Sequence, residues 1–189
     1  MKIELMTRML VAVLCLLCSG CFAPLVEGAR QGADVVQRDR LQAKAVSGDP
    51  QAQYNLGDTY CCEAGPQFER SISVYDNQKA TLWLCKAALQ NYGPAQYKLA
   101  LIYSGKQSGG GMIARVSSWL DDKQTSIPVA WMWASLAATN GVEKAAALRD
   151  TLGEKLTAPQ RSTGWDNLAN WRTQPCAWND AMKLSTASR

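Results

Sequence analysis

The chain contains no histidine and only two phenylalanines among its 189 residues. Without histidine it cannot assemble a Ser–His–Asp or Cys–His catalytic unit, a histidine metal site or a histidine pH switch. No serine has a lysine three positions on, which removes the Ser-x-x-Lys nucleophile of penicillin-recognising enzymes. The net charge of +4 is scattered, and no run of Lys and Arg is dense enough to neutralise a row of phosphates. Nucleic acid is therefore not an expected partner. Few stretches alternate with period two, so little or no sheet is expected.

What the chain does have is alanine, seven tryptophans and a hydrophobic fraction of 47%. Small residues let helix backbones approach, and indoles fill the remaining space. A charged start, Met1-Lys-Ile-Glu-Leu-Met-Thr-Arg8, precedes an apolar run from Met9 to Leu17 and then Cys18-Ser-Gly-Cys21. This is the layout of an export signal. An uncleaved membrane anchor would need roughly 20 predominantly apolar residues, and Gly20 and Pro24 interrupt the run. The tetrad at 18–21 resembles the lipobox of bacterial lipoproteins. That resemblance implies removal of residues 1–20, lipidation of Cys21 and a tether over 21–33, with ordinary secretion as the alternative. The sequence departs from the pattern in one place, since Cys18 stands where the family has Leu and Leu17 lies one residue early. Phe22 follows the cysteine where retention at the inner membrane would favour Asp, so the family rule points to the outer membrane.

Four cysteines remain beyond the signal: Cys61, Cys62, Cys85 and Cys176. An even number in an oxidising compartment points to two disulfides, with three possible connectivities. Because a ring between neighbours strains the backbone, Cys61 and Cys62 are expected to pair outward with Cys85 and Cys176. A four-cysteine zinc site is the alternative, but no C-x-x-C spacing supports it, and no cofactor is implied.

The chain also repeats itself. Ala52-Gln-Tyr-Asn-Leu-Gly-Asp-Thr-Tyr60 returns as Ala95-Gln-Tyr-Lys-Leu-Ala-Leu-Ile-Tyr103, and Ala80-x-x-Trp83-x-x-x-Ala87-Ala88 returns as Ala130-x-x-Trp133-x-x-x-Ala137-Ala138. Each block places its small and aromatic residues on one helical face. Turns at Ser47-Gly-Asp-Pro50, Asn91-Tyr-Gly-Pro94 and Thr139-Asn-Gly141 join the blocks. Neither helix hides its apolar face alone, so the unit is a pair that must stack on its neighbours. Three units follow, at 34–61, 79–105 and 128–155. A capping helix is expected over 158–172 with Trp165, Leu168 and Trp171, then a tail over 173–189. Segments 62–78 and 105–127 read as insertions, the second with a possible amphipathic helix over Met112 to Leu120. Ser108-Gly-Gly-Gly111 in that insertion reads as a linker rather than a phosphate loop, and Asp121-Asp122 as solvated surface rather than a calcium site or acid pair.

The pattern Ala-x-Tyr-x-Leu-Gly-x-x-Tyr, then Ala-x-x-Trp-x-x-x-Ala-Ala, is similar to the Sel-one-like repeat (SLR), a branch of the tetratricopeptide-type solenoids, over residues 45–155. The resemblance implies an all-α, right-handed α/α solenoid that binds another protein. With the lipobox, it implies an envelope scaffold held to a membrane by lipid. A cysteine-rich bacterial branch of the family suggests an enzyme acting on β-lactam or cell-wall substrates as the alternative, and a purely structural envelope lipoprotein is a third reading. Trp131 and Lys86 are candidate partner-binding residues. Trp131 stands where the preceding unit has Thr81, so it is either a binding anchor or packing beneath the insertion or the cap. The tyrosines, Trp83 and Trp133 recur at fixed places and are expected in the core.

Overall fold

The computed structural model describes residues 32–62, 76–106 and 125–181. The chain divides into Met1–Val36 and Gln37–Arg189; all that follows concerns the second unit, except that its first helix begins at residue 32. The export signal, Cys21, most of both insertions, Ser108–Gly111, Met112–Leu120 and Asp121-Asp122 lie outside the described residues.

Every regular element among the described residues is helical: α1 (32–46), α2 (Pro50–Tyr60), α3 (Asn77–Ala88), α4 (Gly93–Tyr103), α5 (Ile127–Thr139), α6 (Glu143–Lys155), α7 (Ala158–Ala169) and a single turn, α8 (178–181). Their starts are set by local chemistry. Asp49 and Asp76 accept from the Ala52 and Lys79 amides at the heads of α2 and α3. Thr157 and Gln160 form a reciprocal capping box on α7. Proline occupies the first turn of α2, α4, α5 and α7, where its missing N–H costs nothing.

The turns repeat as faithfully as the helices. Gly48, Asn91 and Gly141 hold the equivalent place in the turns that join α1 to α2, α3 to α4 and α5 to α6, all at positive φ (100°, 62° and 80°). The following amide in each case reaches back five residues, Asp49 to Lys44, Tyr92 to Ala87 and Val142 to Ala137. This is the Schellman closure, which needs a left-handed residue and is satisfied by glycine or asparagine.

The helices stack in order, α2 on α3, α3 on α4, α4 on α5 and α5 on both α6 and α7. Lys98 of α4 meets Asp58 of α2 at 2.5 Å, and Gly93 at the head of α4 leaves room for Val142 and Asn140 at the head of α6. One layer therefore runs α2–α4–α6, with α3, α5 and α7 behind it. The core is built from the expected repeat positions, including Ala52, Leu56, Ala80, Ala87, Ala88, Ala95, Leu99 and Trp133.

A polar contact recurs inside this apolar stack. Gln53 and Gln96 are equivalent residues of α2 and α4, and both are buried. Each donates its amide to the carbonyl eight residues back, Ala45 and Ala88, at 3.1 Å. Each accepts on its oxygen from the next turn along, from Gln90 at 2.9 Å and from Asn140 at 2.7 Å. One buried side chain thus fastens three successive segments. The equivalent residue in α6 is Ala146, and there the clasp ends.

Three expectations need adjustment. The last helix stops at Ala169, and Trp171 lies in the following turn, buried with its ring edge-on to Trp133 at 6.1 Å. Residues 173–181 of the expected tail return to α3 and α4, as described below. The repeated aromatics are not uniformly core: Tyr103 and Trp133 are buried, but Tyr54, Tyr97 and Trp83 are half-exposed.

Gly57 marks the closest approach of α2 to α3, since a Cβ there would sit 2.8 Å from Leu84 Cγ and 3.0 Å from the Ala80 carbonyl. Backbone lies on one side of it and cannot give way. Gly57→Ala is expected to lose about 1–3 kcal/mol in urea unfolding despite its better helix propensity.

Candidate interaction surfaces and the cysteine cluster

The four cysteines share one buried cluster but not the expected connectivity. Cys85 pairs with Cys176, with Cα atoms 5.7 Å apart, and Cys61 pairs with Cys62. The contacts around residue 176 account for the correction. The Tyr103 hydroxyl donates to the Cys176 carbonyl. The Trp178 ring stacks on Tyr103 at 5.4 Å, and the Trp178 and Asn179 amides donate to Thr81 Oγ1 and Gln78 Oε1, both at 2.8 Å. Thr81 and Gln78 belong to the helix that carries Cys85, so the returning chain delivers Cys176 to that thiol. Cys61 and Cys62 are left with each other. The Cys85–Cys176 bridge spans 91 positions, and closing a loop of that size is worth about 4–5 kcal/mol in the chain-entropy account. Thr81 replaces the indole that α5 carries at Trp131, and its hydroxyl oxygen accepts from the Trp178 amide.

Lys86 is exposed on α3 with its ammonium 4.1 Å from the centre of the Trp83 ring, a cation–π contact on the outer side of the stack. Trp131 lies elsewhere, 8% exposed, beneath α7. Ideal Cβ atoms at Gly153 and Gly164 would come within 3.4 and 3.2 Å of its ring, so those glycines make its slot. Its ring meets Trp165 edge-on at 5.0 Å. Of the two readings of Trp131, packing beneath the cap is the one its surroundings match. The structure does not bring Lys86 and Trp131 into one site.

The residue that sequence reasoning passed over is Trp165. Placed on the cap by its spacing, it is 57% exposed. It borders a groove of about 690 Å³ between α5, α6 and α7, with Trp131 in its lining and Arg149, Asp150, Glu154 and Arg161 around it. No periodicity rule distinguishes a tryptophan facing the stack from one facing a groove at its end. A second surface lies along α2 and α4, where the rings of half-buried Tyr54 and Tyr92 meet at 5.6 Å, half-buried Tyr97 lies on α4, and Asp58 pairs with Lys98. Burial, then Asp58, then Tyr92 raise the Tyr54 pKa. No described helix is long and apolar enough to cross a membrane.

No family model matches the chain, and no curated protein matches it. Among solved structures it is similar to a protective antigen present in uropathogenic Escherichia coli strains, whose fold is described as SLR. The TM-score is 0.51 at 22% identity, covering 79% of this chain and 27% of that one. The chain thus spans about a quarter of that protein's length. At this identity the likeness establishes the fold: an SLR-type α/α solenoid.

Burial pushes the Tyr103 phenol far above its ordinary value, opposed by Thr81 and reinforced by Asp180. The folded chain keeps this proton to higher pH than the unfolded chain, whose tyrosines ionise near pH 10, at about the free value. Stability from this group is therefore intact below about pH 10 and falls as pH rises beyond it. An absorbance titration of tyrosinate is expected to show Tyr103 ionising only as near-UV circular dichroism is lost. Tyr103→Phe should remove that step and cost about 1–3 kcal/mol at neutral pH, because the Cys176 carbonyl loses its donor.

Proposed function

We propose that the chain is an exported scaffold, anchored to a bacterial envelope membrane through lipid on Cys21, which presents its α2–α4–α6 face to another envelope protein. The observation that carries the reading is the α2–α4 surface, where Tyr54, Tyr92 and Tyr97 are only partly buried and the Asp58–Lys98 ion pair joins the two helices. Tyrosine offers a large contact area at low entropic cost, and repeat solenoids offer extended faces. Export is supported by the signal-like start and by two disulfides, which persist in oxidising compartments. The outer membrane is the favoured destination because Phe22 follows the cysteine.

Intact mass of the native protein from the membrane fraction tests the anchoring. Residues 21–189 plus acyl chains are expected, heavier by four protons after reduction of the two disulfides. Cys21→Ser should leave the protein unlipidated and release it from the membrane. Crosslinking in envelope extracts should yield a partner that Tyr54→Ala/Tyr97→Ala loses while far-UV circular dichroism shows the helices retained, at a lower melting temperature because both rings also pack on the core. An unprocessed mass contradicts the anchor, and capture indifferent to both tyrosines contradicts the binding face.

A further inference from the structure

The groove at the end of the stack has a chemistry unlike that of the tyrosine face. Its volume of about 690 Å³ is that of a small-ligand site. On one wall Trp165 exposes its indole, braced edge-on by Trp131. Trp131 is more than nine-tenths buried, and its indole nitrogen lies beside Gly153, itself part of the groove lining. The rest of the lining sets polar groups among the apolar surface of Leu156 and Leu168. Ser135 and Thr139 carry hydroxyls, the Arg149 guanidinium lies 2.7 Å from the Asp150 carboxylate, and Arg161 lies 3.5 Å from the Gly153 carbonyl. Glu154 makes no ion pair among the described residues.

Three ligand classes are disfavoured by this arrangement. A cation held between aromatic faces needs space between them, and the two indoles touch, with centroids 5.0 Å apart. An anion would meet Asp150 and Glu154 as well as the two arginines, so the lining charges cancel. A wholly apolar peptide anchor would cover Ser135, Thr139, Arg149, Asp150, Glu154 and Arg161 without replacing the water on their polar groups. What remains is an uncharged ligand with one apolar face and many hydroxyl groups. We propose that this groove is a saccharide-binding site. One pyranose ring lays its C–H face on Trp165, a ring or amide oxygen accepts from the Trp131 N–H, and Glu154 with the Arg149–Asp150 pair takes the hydroxyls. Carboxylates accept and guanidinium groups donate, and a hydroxyl can do both, so neutral sugars fit a charge-balanced lining. The site does not depend on lipidation or on the protein partner.

The test uses the full chain beyond the signal, titrated with chitotriose and separately with maltotriose and followed by calorimetry and tryptophan fluorescence. At least one sugar is expected to bind with a dissociation constant below about 1 mM. Trp165→Ala should weaken it by about tenfold or more, Trp165→Phe by less, and Glu154→Gln by a few fold. Trp165 is mostly solvent-exposed, so circular dichroism and melting should change little in these variants. Absence of binding by both sugars up to about 10 mM overturns the proposal. So does sugar binding that Trp165→Ala leaves intact, or binding of a tryptophan-containing tripeptide in place of either sugar.

Discussion

The solenoid depends on a glutamine that cannot be left alone. Gln53 and Gln96 lie inside a stack of alanines and leucines, where an unpaired amide would cost about 1–3 kcal/mol. Each amide group finds its partners only when three segments are in register: the end of the preceding helix, its own helix, and the turn after the next one. Apolar contact between small residues tolerates sliding, since alanine presents nearly the same surface one turn along. The directed hydrogen bonds do not, so burial supplies the stability of the stack and the clasp supplies its register.

This division explains what was legible beforehand. Helix identity, the turn residues and the alternation of two blocks could be read because each has a local cause: spacing for the faces, proline and aspartate for the starts, glycine or asparagine for the left-handed turn residue. The glutamines were visible as part of the repeated motif, but these partners lie 37 and 44 positions away, and nothing local announces Gln90 or Asn140 as the donors. Ala146 was equally silent. Its significance is that the third unit has no clasp to offer, and in its place α6 and the capping helix close on Trp131 through one glycine each, Gly153 and Gly164.

The cysteines show the same limit. Their number implied two bridges, but connectivity was decided by Tyr103, Thr81 and Gln78, which draw residues 176–179 back across the stack. Residues 173–181 of the expected tail thus contribute Cys176 and Ala181 to the core. The sites divide likewise. Trp131 stood out because it broke the repeat, and it proved to be the support for Trp165, whose exposure follows from the geometry of the stack's end and from no pattern in the sequence.

The central claim is that the buried glutamines couple neighbouring repeats, and a double-mutant cycle on Gln96 and Asn140 tests it most directly. Urea unfolding of Gln96→Leu, Asn140→Leu and the pair is expected to show each single change destabilising. The double variant should lose at least about 1 kcal/mol less than the sum, because the second substitution removes a contact already broken. Strict additivity would contradict the account. It would mean that the stack is held by apolar packing alone and that the clasp reports the register without setting it.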